Sequence, residues 1–130
     1  GNFLANATYT PSTIDSTTVL ERSSVVKASA GTLISGYGTI DAGAATDIFY
    51  IQFYNTTTVP GDATALSAIL PQAIVVNHTT GTLSNFSFDF APTGAVHFST
   101  GLSWAMSTTQ FTKTITTLAG DLMAMTVFAV

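Results

Sequence analysis

The 130-residue chain contains no cysteine, so neither a disulfide nor a thiolate metal ligand is available to it. It has few charges of either sign: charged residues make up 8% of the chain, against roughly a quarter in an average domain. Its cations are Arg22, Lys27 and Lys113, which excludes the clustered Lys and Arg that phosphate recognition needs. We therefore expect neither nucleic acid nor an anionic membrane surface as a partner.

Long apolar runs are also lacking. None reaches the ~20 residues that a membrane-spanning helix needs. The N-terminal residues GNFLANATYT have neither the basic region nor the long apolar region of a signal peptide. The length predicts one domain with a core of its own.

The residues that catalysis usually requires are sparse. There is no G-x-S-x-G nucleophile motif and no calcium-loop pattern around Asp41 and Asp47. A Ser–His–Asp set built from His97, Asp89 and one of many serines would arise by chance in a chain so rich in hydroxyls. The other histidine, His78, ends an apolar run. We expect no enzyme activity, no cofactor and no metal site.

The apolar residues that are present, 46% of the chain, fall into short runs separated by Gly, Pro, Ser and Thr, as in all-β domains. The clearest strand runs from Asp47 to Asn55, and a second runs from Ser84 to Phe90. Each alternates with period two, which predicts one buried face. The buried faces would consist of Phe49, Ile51 and Phe53, and of Phe86, Phe88 and Phe90.

Further strand-like runs lie near residues 25–28, 33–40, 72–78, 96–98, 102–107 and 121–130. Gly36 and Gly38 inside one of them indicate a bulge or a close backbone approach. The last run is apolar on both faces, so it is either central or meets a partner. Residues 63–70 could form one helical turn, and Lys113 is expected to be exposed. This pattern predicts an antiparallel β-sandwich or jelly roll over residues 23–130.

Residues 1–22 differ from the rest because their apolar residues are scattered among Asn, Thr and Ser without a sustained period. They are interpreted as an extended N-terminal arm that carries anchors for another surface, although a first strand with a frayed end fits equally well. On the arm hypothesis, deletion of residues 1–22 leaves the sandwich folded. The candidate assembly-interface residues are Phe3, Leu4, Tyr9, Ile14, Val19 and Leu20 on the arm, and Met123, Met125 and Phe128 near the C-terminus.

The low charge favours a surface that is covered by neighbouring subunits, because free monomers usually rely on charge to stay apart. A secreted domain with a polar, uncharged surface is the alternative. Four N-x-[ST] triplets, at Asn6, Asn55, Asn77 and Asn85, would be glycan acceptors in such a protein. Aromatic residues at Tyr37, Tyr50, Tyr54 and Trp104 would line a sugar-binding face, or belong to the core.

One stretch resembles a group of small structural proteins of tailed-phage virions. It is the run Asn85–Leu102, NFSFDFAPTGAVHFSTGL, followed by STTQFTKTI at residues 107–115. Upstream, GTLISGYG at residues 31–38, the small-residue turn at 41–45 and the strand at 49–54 also fit the pattern, so the resemblance spans roughly residues 25–130. It implies a virion protein with a jelly-roll sandwich fold, a decoration or cement protein on the capsid surface, and supplies no catalytic residues.

The resemblance thus leads to the hypothesis of a non-enzymatic capsid decoration protein that stabilises the phage shell. Its partners would be the major capsid protein or other virion subunits, and the resemblance implies a homo-oligomer, a trimer. Two alternatives stay open. One is a carbohydrate-binding domain of a tail fibre or spike, and the other is a surface filament subunit that assembles by strand donation.

Overall fold

A computed structural model describes residues 13–16, 19–90 and 94–130 of the protein. In this part of the chain the structure contains β-strands and no helix. The strands are β1 (Thr13–Ser16), β2 (Ser23–Lys27), β3 (Gly31–Ile40), β4 (Ile48–Tyr54), β5 (Gln72–Asn77), β6 (Ser84–Asp89), β7 (Val96–Phe98), β8 (Leu102–Ser107) and β9 (Met123–Ala129).

The strands form two antiparallel sheets that pack together as a β-sandwich, which confirms the predicted fold class. The first sheet has the order β1-β9-β3-β6, and β7 also pairs with β3. The second sheet has the order β2-β8-β4-β5. The C-terminal strand β9 lies between β1 and β3, so of the two alternatives that the sequence left open the structure has a central strand.

The core lies between the sheets and follows the predicted alternation. On β4, Phe49, Ile51 and Phe53 are fully buried, and Phe53 contacts Phe88 of the opposite sheet with ring centroids 5.3 Å apart. Each buried side chain of this size contributes roughly 1.5–3 kcal/mol. The rows of alternate aromatic and aliphatic side chains therefore hold the sheets face to face.

Gly36 and Gly38 allow the close approach that their positions in β3 suggest. A Cβ atom added to Gly36 would lie 2.7 Å from the carbonyl oxygen of Thr126 and would collide with the ring of Phe88. One added to Gly38 would lie 2.5 Å from the carbonyl oxygen of Ala124 and collide with Phe86. The two glycines thus make room for aromatic rings from β6, and the β3–β9 register also shifts between Leu33 and Ser35.

Two loops cover part of the outer face of the second sheet, and they overturn the expectation that Lys113 is exposed. Its side chain is only 5% exposed, and its Nζ lies 2.6 Å from Oδ1 of Asp62. The N–H of Ala63 donates to the carbonyl of Lys113 across the same junction. The 63–70 segment contains a single hydrogen-bonded turn, in which the carbonyl of Leu66 accepts from Ile69 and Leu70.

The N-terminal segment joins the sandwich where it is described. Thr13–Ser16 pairs with β9, and Glu21 exchanges backbone hydrogen bonds with Met123. Residues 1–22 were interpreted either as an extended arm or as a first strand with a frayed end. Within the described residues, the structure has a strand at Thr13–Ser16. The anchors expected at residues 1–12 lie outside the described residues.

Candidate functional site

An apolar stripe crosses the outer face of the first sheet. Ile14 of β1 lies directly opposite Phe128 of β9, so their side chains share one face. The ring of Phe128 then contacts that of Tyr37 on β3, with centroids 6.1 Å apart and planes tilted by 42°. Ile14 is 61% exposed and Tyr37 is 54% exposed, while Phe128 is half-buried between them. The stripe therefore presents contiguous apolar surface to solvent.

Neutral polar groups surround this stripe. Ser16 Oγ and Thr126 Oγ1 are 2.9 Å apart, and Thr39 Oγ1 donates to Asn85 Oδ1 at 2.8 Å. The outward positions of β9 and β3 carry no charged side chain. Desolvating such a face costs less than desolvating a charged one. The outer face of the first sheet, defined by this stripe and its polar flanks, is the candidate assembly surface.

The opposite side of the molecule is partly closed by its own loops. Gln52 points outward from β4, yet it is fully buried because residues 109–112 fold over it. Its amide nitrogen lies 2.9–3.1 Å from the carbonyl oxygens of Thr109, Gln110 and Thr112. Tyr54 donates to Gln52 Oε1 at 2.6 Å. The second sheet thus has a small outer core where the first sheet has an open face.

The structure brings together two of the predicted interface residues, Ile14 and Phe128, in the candidate assembly surface. Val19 and Leu20 are exposed between β1 and β2. Phe3, Leu4 and Tyr9 lie outside the described residues.

Met123 and Met125 require a correction. They are 0% and 2% exposed and belong to the core between the sheets, so they are not available to another subunit. Alternation along β9 turns these two residues inward and Phe128 outward. The physical reason is that a strand apolar on both faces does not reveal which face is inside.

Tyr37 was expected in a different site, a sugar-binding face with Tyr50, Tyr54 and Trp104. The structure does not bring these four aromatics together. Tyr54 and Trp104 are fully buried, and Trp104 lies in the main core, where its Nε1 has no hydrogen-bond partner among the described residues. Tyr37 lies on the other sheet. Tyr37 belongs instead to the apolar stripe. The sequence pattern could not show this stripe, because strand pairing brings its residues together from distant parts of the chain.

A groove of about 460 Å³ lies beside the start of β5. It is lined by Leu66, Leu70, Gln72, Gln110 and Phe111, and Phe111 is 75% exposed. An exposed aromatic ring can stack on the apolar face of a small ligand, and the two amide side chains beside it can hydrogen-bond the polar groups of that ligand. Sequence reasoning missed this groove because its walls come from two separate loops.

The two histidines have structural surroundings. His78 is buried, and its Nδ1 and Nε2 lie 3.1 Å and 2.7 Å from the carbonyl oxygens of Thr46 and Thr82. His97 is exposed, with Nδ1 3.4 Å from Thr32 Oγ1. Among the residues that the structure describes, no group of three or more His, Cys, Asp or Glu side chains is placed to hold a metal ion.

Of the acidic groups near the stripe, Asp89 is exposed on the same outer face, opposite Ser35 at the end of β6, whereas Asp15 and Glu21 lie at one corner of the sandwich. Asp15, in β1, accepts a hydrogen bond from Ser24 of β2 at 3.3 Å, and burial raises the pKa of its carboxyl group. Burial, followed by the charge of Asp15, raises the pKa of Glu21. The carboxylate of Asp15 thus helps to join the two sheets at the β1–β2 corner, and neither Asp15 nor Glu21 adds charge to the outward positions of β3 and β9.

Comparison of this chain with protein-family models, with curated proteins and with solved structures found no match. Within the described ranges 13–16, 19–90 and 94–130, no helix is long and apolar enough to cross a membrane.

Proposed function

We propose that this protein is a non-enzymatic virion structural protein that decorates a phage capsid and stabilises it through contacts between subunits. The observation that carries the proposal is the candidate assembly surface, on which Ile14, Phe128 and Tyr37 present a connected apolar stripe. The face around the stripe is polar but nearly uncharged, which suits burial against a second protein surface.

Such a protein acts by mass action and needs no chemistry. A subunit that binds only the assembled shell stabilises it by an amount that grows with the free concentration of the subunit. Apolar surface buried in the contact favours binding, and the net affinity is what remains after the entropy cost of association. The resemblance of residues 25–130 to tailed-phage structural proteins implies the partner, which is the major capsid protein or another virion subunit.

A charge placed in the middle of the stripe tests the proposal. Ile14→Glu puts a carboxylate opposite Phe128, so binding to shells should weaken at least about tenfold because that charge would be buried without a partner. The measurement is co-sedimentation of the full chain with shells assembled from the major capsid protein encoded in the same genome. Thermal unfolding of the variant checks that the sandwich is intact.

Val75→Glu is the matched control. Val75 is comparably exposed but lies on the outer face of the second sheet, on the other side of the molecule. It should leave shell binding unchanged. The proposal fails if the wild-type chain does not sediment with shells, or if the two variants bind equally well.

Carbohydrate binding is a second candidate, favoured by the groove beside Phe111 rather than by the four aromatics first considered. A glycan array tests this candidate: a carbohydrate-binding domain should bind specific glycans on the array, whereas a cement protein has no need to bind a sugar. Strand donation by the N-terminal segment stays a prediction for residues 1–12, because Thr13–Ser16 pairs within its own sheet.

A further inference from the structure

Strand β6 forms an edge of the first sheet without the usual protection. In the part of the chain that the structure describes, no strand lies beyond it. Edge strands of monomeric proteins are commonly blocked by Lys, Pro or a bulge. Strand β6, with the sequence SNFSFD, contains neither Lys nor Pro, and its pairing with β3 is regular. Its core-facing residues Phe86 and Phe88 also remain only half-buried.

The edges at β1, β2 and β5 are partly covered or occupied by other groups of the protein. Strands β1 and β2 approach each other at one corner, where Ser24 donates to Asp15. At the β5 edge, the side chain of Gln72 donates to the carbonyl of Ala73 at 3.2 Å, so this backbone acceptor already has a partner. Strand β5, with the sequence QAIVVN, also lacks Lys and Pro, so its edge is closed at this one acceptor only. In the first sheet, β6 is the edge with outward backbone groups open to pairing.

The hydrogen-bond pattern shows which backbone groups of β6 face outward. The N–H of Phe90 donates to the carbonyl of Ile34 at 2.8 Å. In an antiparallel pair, hydrogen-bonded and non-hydrogen-bonded positions alternate. Phe88 and Phe86 therefore direct their backbone groups toward β3, opposite Gly36 and Gly38. The N–H and C=O groups of Asn85 and Ser87 point away from the sheet.

We propose that β6 is a self-association surface, on which a second copy of this chain pairs its own β6 antiparallel around a two-fold axis at Ser87. Each Ser87 then donates its N–H to the carbonyl of the other Ser87. Because both residues have outward backbone groups, the pairing extends the first sheet without breaking any bond to β3. This proposal does not depend on the virion role: the pairing is expected whether or not the protein binds a phage shell.

The side chains favour this register over its neighbours. With Ser87 opposite itself, Phe86 of one copy lies opposite Phe88 of the other, and the rings continue one aromatic row across the axis. Asp89 then lies opposite Asn85, an amide, rather than opposite another carboxylate. A two-fold axis at Asp89 would put like charges face to face, and one at Asn85 would leave half of the strand unpaired.

The occupant is a second copy because the edge is complementary to itself in backbone pattern, ring position and charge. A six-residue strand pair is at the small end of protein interfaces. We therefore expect a reversible dimer whose population rises with protein concentration. The trimer expected from the sequence resemblance would need a different surface.

A charge exchange at Ser87 tests both the pairing and the register. Ser87→Lys and Ser87→Glu each place two like charges opposite each other across the axis, and each should weaken dimerisation at least about tenfold. An equimolar mixture should recover it, because Lys then faces Glu. The measurement is sedimentation velocity of the full chain over a range of concentrations. Thr57→Lys, in an exposed loop, is the charge-matched control and should dimerise like the wild type.

Recovery in the mixture shows that both variants are folded, and circular dichroism checks each alone. The proposal is overturned if the wild type stays monomeric at every concentration, or if its mass is that of three copies. It is also overturned if the single variants dimerise normally or the mixture does not recover. None of these outcomes bears on shell binding, which the Ile14→Glu experiment tests separately.

Discussion

At the scale of single residues, the polar groups that matter most lie where loops meet the sandwich. Gln52 stands in the middle of β4, and its side-chain nitrogen serves three carbonyl oxygens of residues 109–112. Tyr54 completes the arrangement by donating to the side-chain oxygen of Gln52. The buried amide of Gln52 holds the 109–112 loop in place, because losing it would leave the carbonyl groups of the loop without a hydrogen-bond donor, which costs free energy.

Gln52→Glu should therefore destabilise the protein by about 3 kcal/mol or more, because it replaces a donor with a buried carboxylate that faces carbonyl oxygens. Gln52→Met, similar in size and uncharged, should cost less. Urea unfolding followed by circular dichroism measures both. Equal stability of Gln52→Glu and the wild type would show that the loop does not pack on Gln52.

Asp121 is the corresponding anchor at the other end of the sandwich. It is fully buried and accepts hydrogen bonds from the N–H of Ala45 at 2.9 Å and from Thr116 Oγ1 at 2.7 Å, as well as from Thr46. Burial alone would raise the pKa of this carboxyl group, but the hydrogen bonds outweigh burial and hold the pKa below its ordinary value of 3.8.

A depressed folded-state pKa stabilises the protein above the unfolded-state pKa, and this contribution is lost as the pH falls through the folded-state value. The free energy of unfolding contributed by Asp121 should therefore be complete at neutral pH and decline below about pH 4. Asp121→Asn should be less stable at pH 7 by about 1–3 kcal/mol, and its stability should fall less steeply in acid.

Thermal unfolding from pH 7 to pH 2 measures this difference, and Asp41→Asn serves as the control for removal of one carboxylate.

Asp15 and Glu21 have the opposite effect on the pH dependence of stability, because their raised pKa values favour the folded state as the pH falls. An Asp121→Asn variant with the same acid profile as the wild type would contradict the assignment.

At the scale of elements, β1 shows how a segment without a clear pattern becomes part of the fold. Its four residues pair with β9 through backbone groups, which do not depend on side-chain type. Just beyond it, Arg22 donates to the carbonyls of Leu118 at 2.8 Å and Asp121 at 3.1 Å. The arm hypothesis did not include these bonds, because they join residues that are about a hundred positions apart.

Truncation separates the roles of this segment. Deletion of residues 1–12 should lower the melting temperature less than deletion of residues 1–22, because β1 and Arg22 remain in the shorter deletion. Deletion of residues 1–22 should lower the stability by about 3 kcal/mol or more, because it removes the β1–β9 ladder and exposes the edge of β9. Thermal unfolding of the two truncated chains checks this, and equal melting temperatures would contradict it.

At the scale of the whole molecule, the two sheets have different outer faces. The second sheet carries two loops joined by Lys113 and Asp62, whereas the first sheet leaves Ile14, Phe128 and Tyr37 open to solvent. This asymmetry is why the proposed shell contact lies on the first sheet, whereas the proposed self-association follows from the open edge of β6.

The sequence by itself determined most of the strands and the alternation of β4 and β6, because period two depends only on neighbouring residues. Phe49, Ile51, Phe53 and the row of Phe86, Phe88 and Phe90 were predicted to face inward, and they do. Tertiary structure decided which face of β9 is inside, so Met123 and Met125 belong to the core and Phe128 to the surface.

Tertiary structure also decided that Lys113 is buried and that Ile14 meets Phe128. The physical reason is that strand pairing and loop packing join segments far apart in the chain, and no local pattern carries that information.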